Sequence, residues 1–288
     1  MSATLRYSAH LKLTLNAKLL AASPVYGGSI NSCFLLETDK GNFFLKENDT
    51  HVFPGMFEAE KKGLTVLKKA NAFSIPEVIS IHEQNGFSML LMEWLEKKES
   101  AQDKMAWHNA GKKLALLHKN TAASFGLDHH NYIGSLAQRN SQHATWSDFF
   151  SLERILPQLK LAFDDKKIDA VLLKKGENFC AALEEIFTLE APSLLHGDLW
   201  SGNFFFGKNG PAIFDPAVYY GHREMDLGMT KLFGGFDAAF YDGYQDEFPL
   251  EKNWKSRTDF CNLYPLLVHV NLFGGSYVED VKGVLQKF

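Results

Sequence analysis

The stretch that most constrains this chain is Leu194-Leu195-His196-Gly197-Asp198-Leu199-Trp200-Ser201-Gly202-Asn203, followed by Ile213-Phe214-Asp215-Pro216. An apolar pair runs into a histidine, an aspartate stands two residues on, and an asparagine lies five beyond the aspartate. A second aspartate comes twelve residues after the asparagine, at the end of its own apolar run. The order H-x-D-x-x-x-x-N, then a strand ending in Asp, is the one kinases use for a catalytic loop and a metal-binding turn. Phosphoryl transfer asks a protein for an in-line nucleophile and for neutralised phosphate charge, and for little covalent help. Asp198 is placed to orient the attacking hydroxyl and accept its proton. Asn203 and Asp215 supply the oxygen ligands that the hard Mg²⁺ ion prefers, holding it against nucleotide phosphates. The triplet His-Gly-Asp alone is compatible with a plain turn or helix cap; the spacing to Asn203 and Asp215 gives it meaning.

At 288 residues the chain suffices for one large domain or two lobes with a substantial core. A formal net charge of −4 gives no footprint for nucleic acid. No apolar run is long enough to span a bilayer, and the first residues lack the compact apolar block of a signal peptide. Cys33, Cys180 and Cys261 are scattered and odd in number, which favours reduced thiols in a soluble cytoplasmic protein over disulfides or a zinc site. The oligomeric state stays open.

Along the chain, residues 1–20 read as a helix leading into strand-like runs from Ala21 to Lys46. Gly27-Gly28-Ser29-Ile30-Asn31 lies between two such runs, where the amides around Gly28 and Ser29 could approach phosphates, although a plain hairpin turn fits equally well. Phe43-Phe44-Leu45-Lys46 is a strand ending in lysine, and Phe57 to Ala70 a helix carrying Glu60. A strand lysine paired with a glutamate on the next helix is the other half of the kinase pattern, so Lys46 is assigned to the phosphates, held by Glu60. Glu77–His82 and Gly86–Leu95 form a hairpin around Asn85-Gly86. Its end, Met92-Glu93-Trp94-Leu95, is placed as the hinge, with backbone of Glu93 and Leu95 facing the adenine edge and Met92 behind it.

Beyond residue 100 the periodicity is largely helical: Met105 to His118, Ser147 to Leu161, Ile168 to Phe187, then 229–246 and 258–288. His118 reads as a satisfied core histidine, and His129 and His130 have no cysteine partners at zinc spacing. Asp226, at the start of a helix behind the metal turn, is read as support for the catalytic loop, and Glu224 as a substrate candidate. His196 and Trp200, inside the catalytic block, are further supporting or substrate candidates. The predicted fold is α+β and bilobal, protein-kinase-like: a small N-terminal antiparallel β-sheet lobe with a helix, then a larger, mainly helical lobe. The expected boundaries are a nucleotide-binding lobe over 1–93, hinge and linker over 94–104, and a catalytic and substrate lobe over 105–288.

Taken together, Gly27 to Asn31, Phe44-Leu45-Lys46, Phe57 through Gly63, His196 through Asn203 and Asp215-Pro216-Ala217 resemble the fructosamine kinase (ketosamine-3-kinase) family. Asp226-Leu227, Leu232 to Phe236 and Phe273-Gly274 extend the match over nearly the whole chain. The family is related to aminoglycoside and choline kinases. The resemblance implies an ATP- and Mg²⁺-dependent kinase of the 3-hydroxyl of a sugar joined to an amine. The product is unstable and releases the amine, an activity regarded as deglycation or protein repair. It also implies Asp198 as base, Met92 to Leu95 as adenine hinge, and no activation-loop switch, because Asp215-Pro216 replaces Asp-Phe-Gly. Where some members carry a redox-sensitive cysteine in the glycine loop, this chain has Ser29, with Cys33 nearby. Two other readings share the same residues: a kinase for another small hydroxyl compound, such as an aminoglycoside or a choline-like amine, and a nucleotide-binding pseudoenzyme.

Overall fold

The structure is a computed structural model that describes residues 3–26, 30–98 and 103–287. Helix α1 (Ala3–Leu15) precedes a sheet built from β1 (Leu19–Pro24), β2 (Ser32–Thr38), β3 (Gly41–Asp49), β4 (Val78–Gln84) and β5 (Phe87–Glu93). All pairings are antiparallel, in the order β1-β2-β3-β5-β4, and α2 (Met56–Lys69) lies between β3 and β4 in the chain. The single helix expected over 1–20 stops at Leu15. Asn16 takes a φ of 50°, in the left-handed region, and the Ala17 amide closes back on the Leu11 carbonyl at 3.3 Å, which ends the helix.

Strand β5 shows why its sequence reads as an unbroken apolar run. Met89 and Leu91 pack with Leu36, Leu45 and Tyr7 and Leu11 of α1, whereas Leu90 and Met92 join the cluster of Phe57, Leu64 and Leu67 of α2. Alternate side chains therefore point to opposite faces, and both faces are covered. The second cluster continues past the sheet into the helical part through Leu114, Leu199, Ile213 and Phe240, so one core joins the two halves.

The remaining chain holds α3 (Lys104–His118), β6 (Asn131–Ile133), β7 (Leu136–Gln138), α4 (Trp146–Phe149), α5 (Leu156–Asp164), α6 (Ala170–Ala181) and α7 (Leu183–Ile186). Then follow β8 (Ser193–Leu195), β9 (Phe204–Gly207), β10 (Gly210–Ile213) and β11 (Tyr219–Gly221). Five helices close the chain: α8 (Glu224–Leu232), α9 (Ala238–Glu247), α10 (Trp254–Cys261), α11 (Leu263–Phe273) and α12 (Tyr277–Leu285). Helices α3 and α9 cross in very close contact. A Cβ on Gly111 would sit 1.8 Å from the Phe240 carbonyl oxygen, and one on Gly243 would sit 1.9 Å from that of His108.

Several expected long helices are broken, each for a local reason. The helix expected over Ser147–Leu161 contains a π-helical stretch, Phe150–Ile155, which carries Arg154 wholly buried against the rings of Phe149, Tyr219 and Tyr264. The run 229–246 is interrupted where Gly234 and Gly235 take φ of 72° and 96°, and α9 restarts on the Asp237 cap. Helix α11 ends at Gly274 and Gly275, both at φ 64°.

Candidate active site

Three short elements place the polar groups. Strand β8 ends at Leu195 and delivers His196-Gly197-Asp198; a 3₁₀ turn, Ser201–Asn203, leads into β9; and the β9–β10 hairpin returns the chain to Asp215. Pairing of Phe204 with Ile213 brings Asn203 and Asp215 side by side at the open end of that hairpin. The Phe214 amide donates to the Asn203 carbonyl at 3.2 Å, fixing the register there. Asn203 Nδ2 donates to the Asp198 carboxylate and to the Asp198 carbonyl, both at 2.9 Å, and approaches the Asp215 carbonyl at 3.5 Å. Asp215 itself sits at φ 55°, a left-handed geometry that Asp tolerates and most residues do not.

Across from this set, Lys46 on β3 donates to Glu60 Oε1 of α2 at 2.7 Å and also contacts Asp215 Oδ1 directly. The sequence separation of Lys46 and Asp215 is 169 residues, so the contact exists only because the sheet closes onto the hairpin. Burial opposes the lysine charge, but the two carboxylates beside it outweigh that and hold its pKa above the ordinary value. Burial, with the neighbouring Asp215 charge, pushes the Asp198 carboxyl up to about 7, against the lowering effect of the Asn203 hydrogen bond. Such a value suits a group that must take a proton near neutrality.

Gly197 is required by space. At φ 82° its missing Cβ would lie 2.1 Å from the Ala217 carbonyl oxygen, so the catalytic loop and the segment after Asp215 can pack only through glycine here. His196 fastens the same two segments. Its Nε2 donates to the Phe214 carbonyl at 3.0 Å, its Nδ1 accepts from the Asp198 amide at 3.3 Å, and its carbonyl accepts from Ala217 at 2.9 Å. Burial keeps this imidazole below the usual pKa, which fits the neutral tautomer those bonds need.

Behind the loop stands Asp226, 1% exposed, whose carboxylate accepts from the amides of His196 (2.8 Å) and Gly197 (2.9 Å). His118 Nε2 donates to the same carboxylate at 3.2 Å, and the Tyr244 hydroxyl donates to His118 Nδ1 at 2.9 Å. Burial pushes the Asp226 carboxyl up, but His118, His196 and the Gly197 amide together hold it below the carboxylate range. Sequence reasoning took His118 for a satisfied core histidine. The structure agrees that it is satisfied and identifies its partner as the aspartate that holds the catalytic loop. Tyr244 was missed; it lies in the stretch 229–246, read only as helical, and no spacing ties it to His118.

Other expected residues fall elsewhere. Glu224 does not face the cleft as a substrate ligand: it is 1% exposed and bonded to Arg257 by Nε (2.8 Å) and Nη2 (2.5 Å), a buried structural pair. Gly28 and Ser29 lie outside the described residues. Met92 is buried in the core behind the sheet, and the Trp94 ring approaches Phe44 at 6.2 Å. The Glu93 amide is engaged by the Glu77 carbonyl at 2.9 Å and so is not free to donate to a ligand. The chain after Leu95 is pinned to the β9–β10 hairpin, Lys98 N–H to the Phe206 carbonyl (2.8 Å) and Lys208 N–H to the Glu96 carbonyl (3.1 Å). Trp200 lies over Gly202 and meets the Phe233 ring edge-on at 5.7 Å.

The oxygen-rich set Asp198, Asn203 and Asp215 fits a hard divalent ion. Among the described residues no group of three or more His, Cys, Asp or Glu side chains forms a metal cage.

A sheet laid over a helical lobe, with its lysine reaching the carboxylate of the opposite hairpin, is the architecture of a protein-kinase-like phosphotransferase, here one with an alcohol group as acceptor. The chain belongs to the fructosamine kinase family, whose model matches residues 3–288. A protein of Enterococcus faecium described as a probable ketoamine kinase is 40% identical over 283 residues, covering 96% of this chain and 97% of that protein. A chloroplastic protein-ribulosamine 3-kinase of Arabidopsis thaliana is 36% identical over 270 residues, covering 92% and 81%. A crystal structure from Thermobifida fusca, provisionally assigned as a fructosamine-3-kinase, superposes with a TM-score of 0.88 at 31% identity over 97% of this chain and 96% of that one. The fold extends to an aminoglycoside phosphotransferase, APH(4)-Ia, at a TM-score of 0.63 and 14% identity over 97% and 98% of the two chains.

Proposed function

We propose that the protein transfers the γ-phosphoryl group of ATP to the 3-hydroxyl of ketosamines of the fructosamine or ribulosamine type, leading to deglycation. The reading rests on one observation above the rest: the Asn203 amide joins the Asp198 carboxylate to the Asp215 turn directly opposite Lys46. In this reading the sugar 3-oxygen attacks phosphorus, the bond to the bridging oxygen of ADP breaks, and Asp198 takes the hydroxyl proton. Lys46, held by Glu60, faces the α- and β-phosphates, and the Leu95 amide meets the adenine edge. Asn203 and Asp215 would hold Mg²⁺, which neutralises phosphate charge when bound. His196 and Asp226 keep the loop in place from behind. The 3-phosphorylated sugar then eliminates inorganic phosphate, and water hydrolyses the resulting conjugated imine to a dicarbonyl sugar and the free amine.

The kinship with a ketoamine kinase and a ribulosamine 3-kinase supports the acceptor class. Among the described residues no helix is long and apolar enough to cross a membrane, and a cytoplasmic setting is the one we assign. The test is ATP turnover on a panel of fructosyl and ribulosyl amines against aminoglycosides and choline. Turnover confined to the sugar amines supports the reading; turnover confined to the other two overturns it.

A further inference from the structure

The Asp215 side chain is 39% exposed, so its position rests on the backbone that follows it. That backbone ends on a buried polar network. Gln138 Nε2 donates to the Ala217 carbonyl at 3.0 Å, and Asn131 Nδ2 donates to the Val218 carbonyl at 2.8 Å. Both amides come from the β6–β7 hairpin, far from the kinase pattern in the sequence. The Ala217 carbonyl is also the group that a Cβ on Gly197 would strike, so holding it sets the spacing between the metal turn and the catalytic loop.

The network has a fixed sense. A guanidinium only donates, so Arg154 Nη2 draws the Asn140 side-chain oxygen toward itself, at 2.6 Å. Asn140 Nδ2 then donates to Asn131 Oδ1 at 2.9 Å, as does Gln138 Nε2 at 2.8 Å. With its oxygen engaged twice, Asn131 turns its nitrogen to Val218. The Tyr264 hydroxyl donates to Gln138 Oε1 at 2.8 Å, which aims the Gln138 nitrogen at Ala217. All five side chains are buried, and reversing any one amide would set donor against donor.

The same hairpin reaches the small lobe. Tyr132, next to Asn131 and on the opposite face of β6, donates to the Pro54 carbonyl at 3.0 Å, just ahead of Gly55 at the start of α2. A Cβ on Gly63 of α2, about one turn after Glu60, would lie 3.3 Å from Val218 and 3.6 Å from Pro216. Helix α2, the metal turn and the hairpin therefore pack as one unit, with Glu60 and Asp215 both on Lys46.

We propose that the β6–β7 hairpin positions the metal-holding turn, with Gln138 and Asn131 as positioning residues for Asp215 and Arg154 as the group that orients their amides. The inference rests on Asp215 as a Mg²⁺ ligand in the reading above and adds what keeps it in place.

The experiment titrates Mn²⁺, a hard stand-in for Mg²⁺, into the enzyme with ADP and reads the free ion by electron paramagnetic resonance. Calorimetry follows ADP binding without metal, and a thermal melt checks folding. Gln138→Met keeps the chain length and removes the donors; Asn131→Ala removes the other; Asp215→Asn is the reference. Gln138→Met and Asn131→Ala should each weaken Mn²⁺ binding about 10-fold, with metal-free ADP affinity within about twofold of wild type. A lowered melting temperature with Mn²⁺ affinity per folded molecule unchanged would show a structural role only and overturns the inference. Should the amide variants fail to fold, Tyr264→Phe decides alone, since it removes one hydroxyl and frees the Gln138 amide to turn. About threefold weaker Mn²⁺ binding there supports the inference, and wild-type Mn²⁺ affinity overturns it. Unchanged Mn²⁺ affinity in Asp215→Asn overturns both the inference and the metal reading beneath it.

Discussion

The two sides of the catalytic loop are built on opposite plans. Behind it, the His196 and Gly197 amides end on a carboxylate that is itself held by His118 and, through it, by Tyr244. All of these bonds are buried except the partly buried one from Gly197, and a buried polar group that loses its partner pays the full desolvation cost, so this side has one arrangement. In front, Asp198 faces the cleft and the neighbouring rings of Trp200 and Phe233 are partly or well exposed. The contrast separates two jobs: the back fixes where Asp198 stands, and the front is free to fit what is brought to it. Substitutions behind the loop should therefore act on stability and kcat together, and substitutions in front on turnover or acceptor affinity alone.

The largest effect expected is in front. Asp198→Asn should lower kcat by roughly 10²–10⁴ while ATP affinity and melting temperature stay near wild type. The sign of the pH dependence follows from the raised carboxyl, at about 7 in the free enzyme. Below that pH it holds a proton and cannot accept another, so kcat/KM should climb with pH through neutrality, and the Asn variant should lose that limb. Wild-type kinetics in the variant would show that another group takes the proton.

Next comes a structural pair away from both sides. Arg257→Ala would strand the Glu224 carboxylate in the core and should cost about 3–5 kcal/mol in urea unfolding, with kcat per folded molecule unchanged. A selective rise in acceptor KM without loss of stability would instead return Glu224 to the substrate side. Behind the loop, His118→Ala removes one of three donors to Asp226. It should lower stability by about 1–3 kcal/mol and kcat by up to roughly tenfold, with KM for ATP unmoved. A loss of stability with kcat intact would mean that the two backbone donors suffice to hold the loop.

The sequence made the front of the site legible because phosphoryl transfer fixes residue types at short spacing. Asp198, Asn203 and Asp215 lie within 18 consecutive residues and one hairpin, so their convergence needs only local geometry. Lys46 and Glu60 were legible for the same reason, as a strand and the helix after it. Behind the loop only Asp226 was legible, from its place at the start of a helix; its partners His118 and Tyr244 were not, because they lie on α3 and α9 and meet it only through tertiary packing. Glu224 shows the opposite error: an acid two residues before a functional aspartate looked available, and only its buried partner 33 residues away shows that it is not. The helix breaks at Gly234-Gly235 and at the π-helical stretch around Arg154 were hidden by periodicity that continues across them.

The smallest effect lies on the sheet face that turns away from the cleft, and it tests whether acid sensitivity belongs to the site or to the scaffold. His10 on α1 is buried, accepts or donates one bond with Ser80 at 3.0 Å, and stacks on His82 at 5.2 Å. Burial, aided by that second imidazole, pushes its pKa down to about 4. In the unfolded chain a histidine protonates near about 6.5, so between those values the unfolded state binds a proton that the folded state refuses. Stability should thus be level above about pH 6.5 and fall as pH drops toward 4, by on the order of 1–2 kcal/mol after allowance for partial solvent screening. His10→Gln keeps a polar partner for Ser80 and removes the titration, so its melting temperature should fall less than wild type between pH 7.5 and 5. Equal falls in the two proteins would place the acid-sensitive group elsewhere, and the buried carboxylate behind the catalytic loop, whose pKa is lowered, would be the next to test at still lower pH.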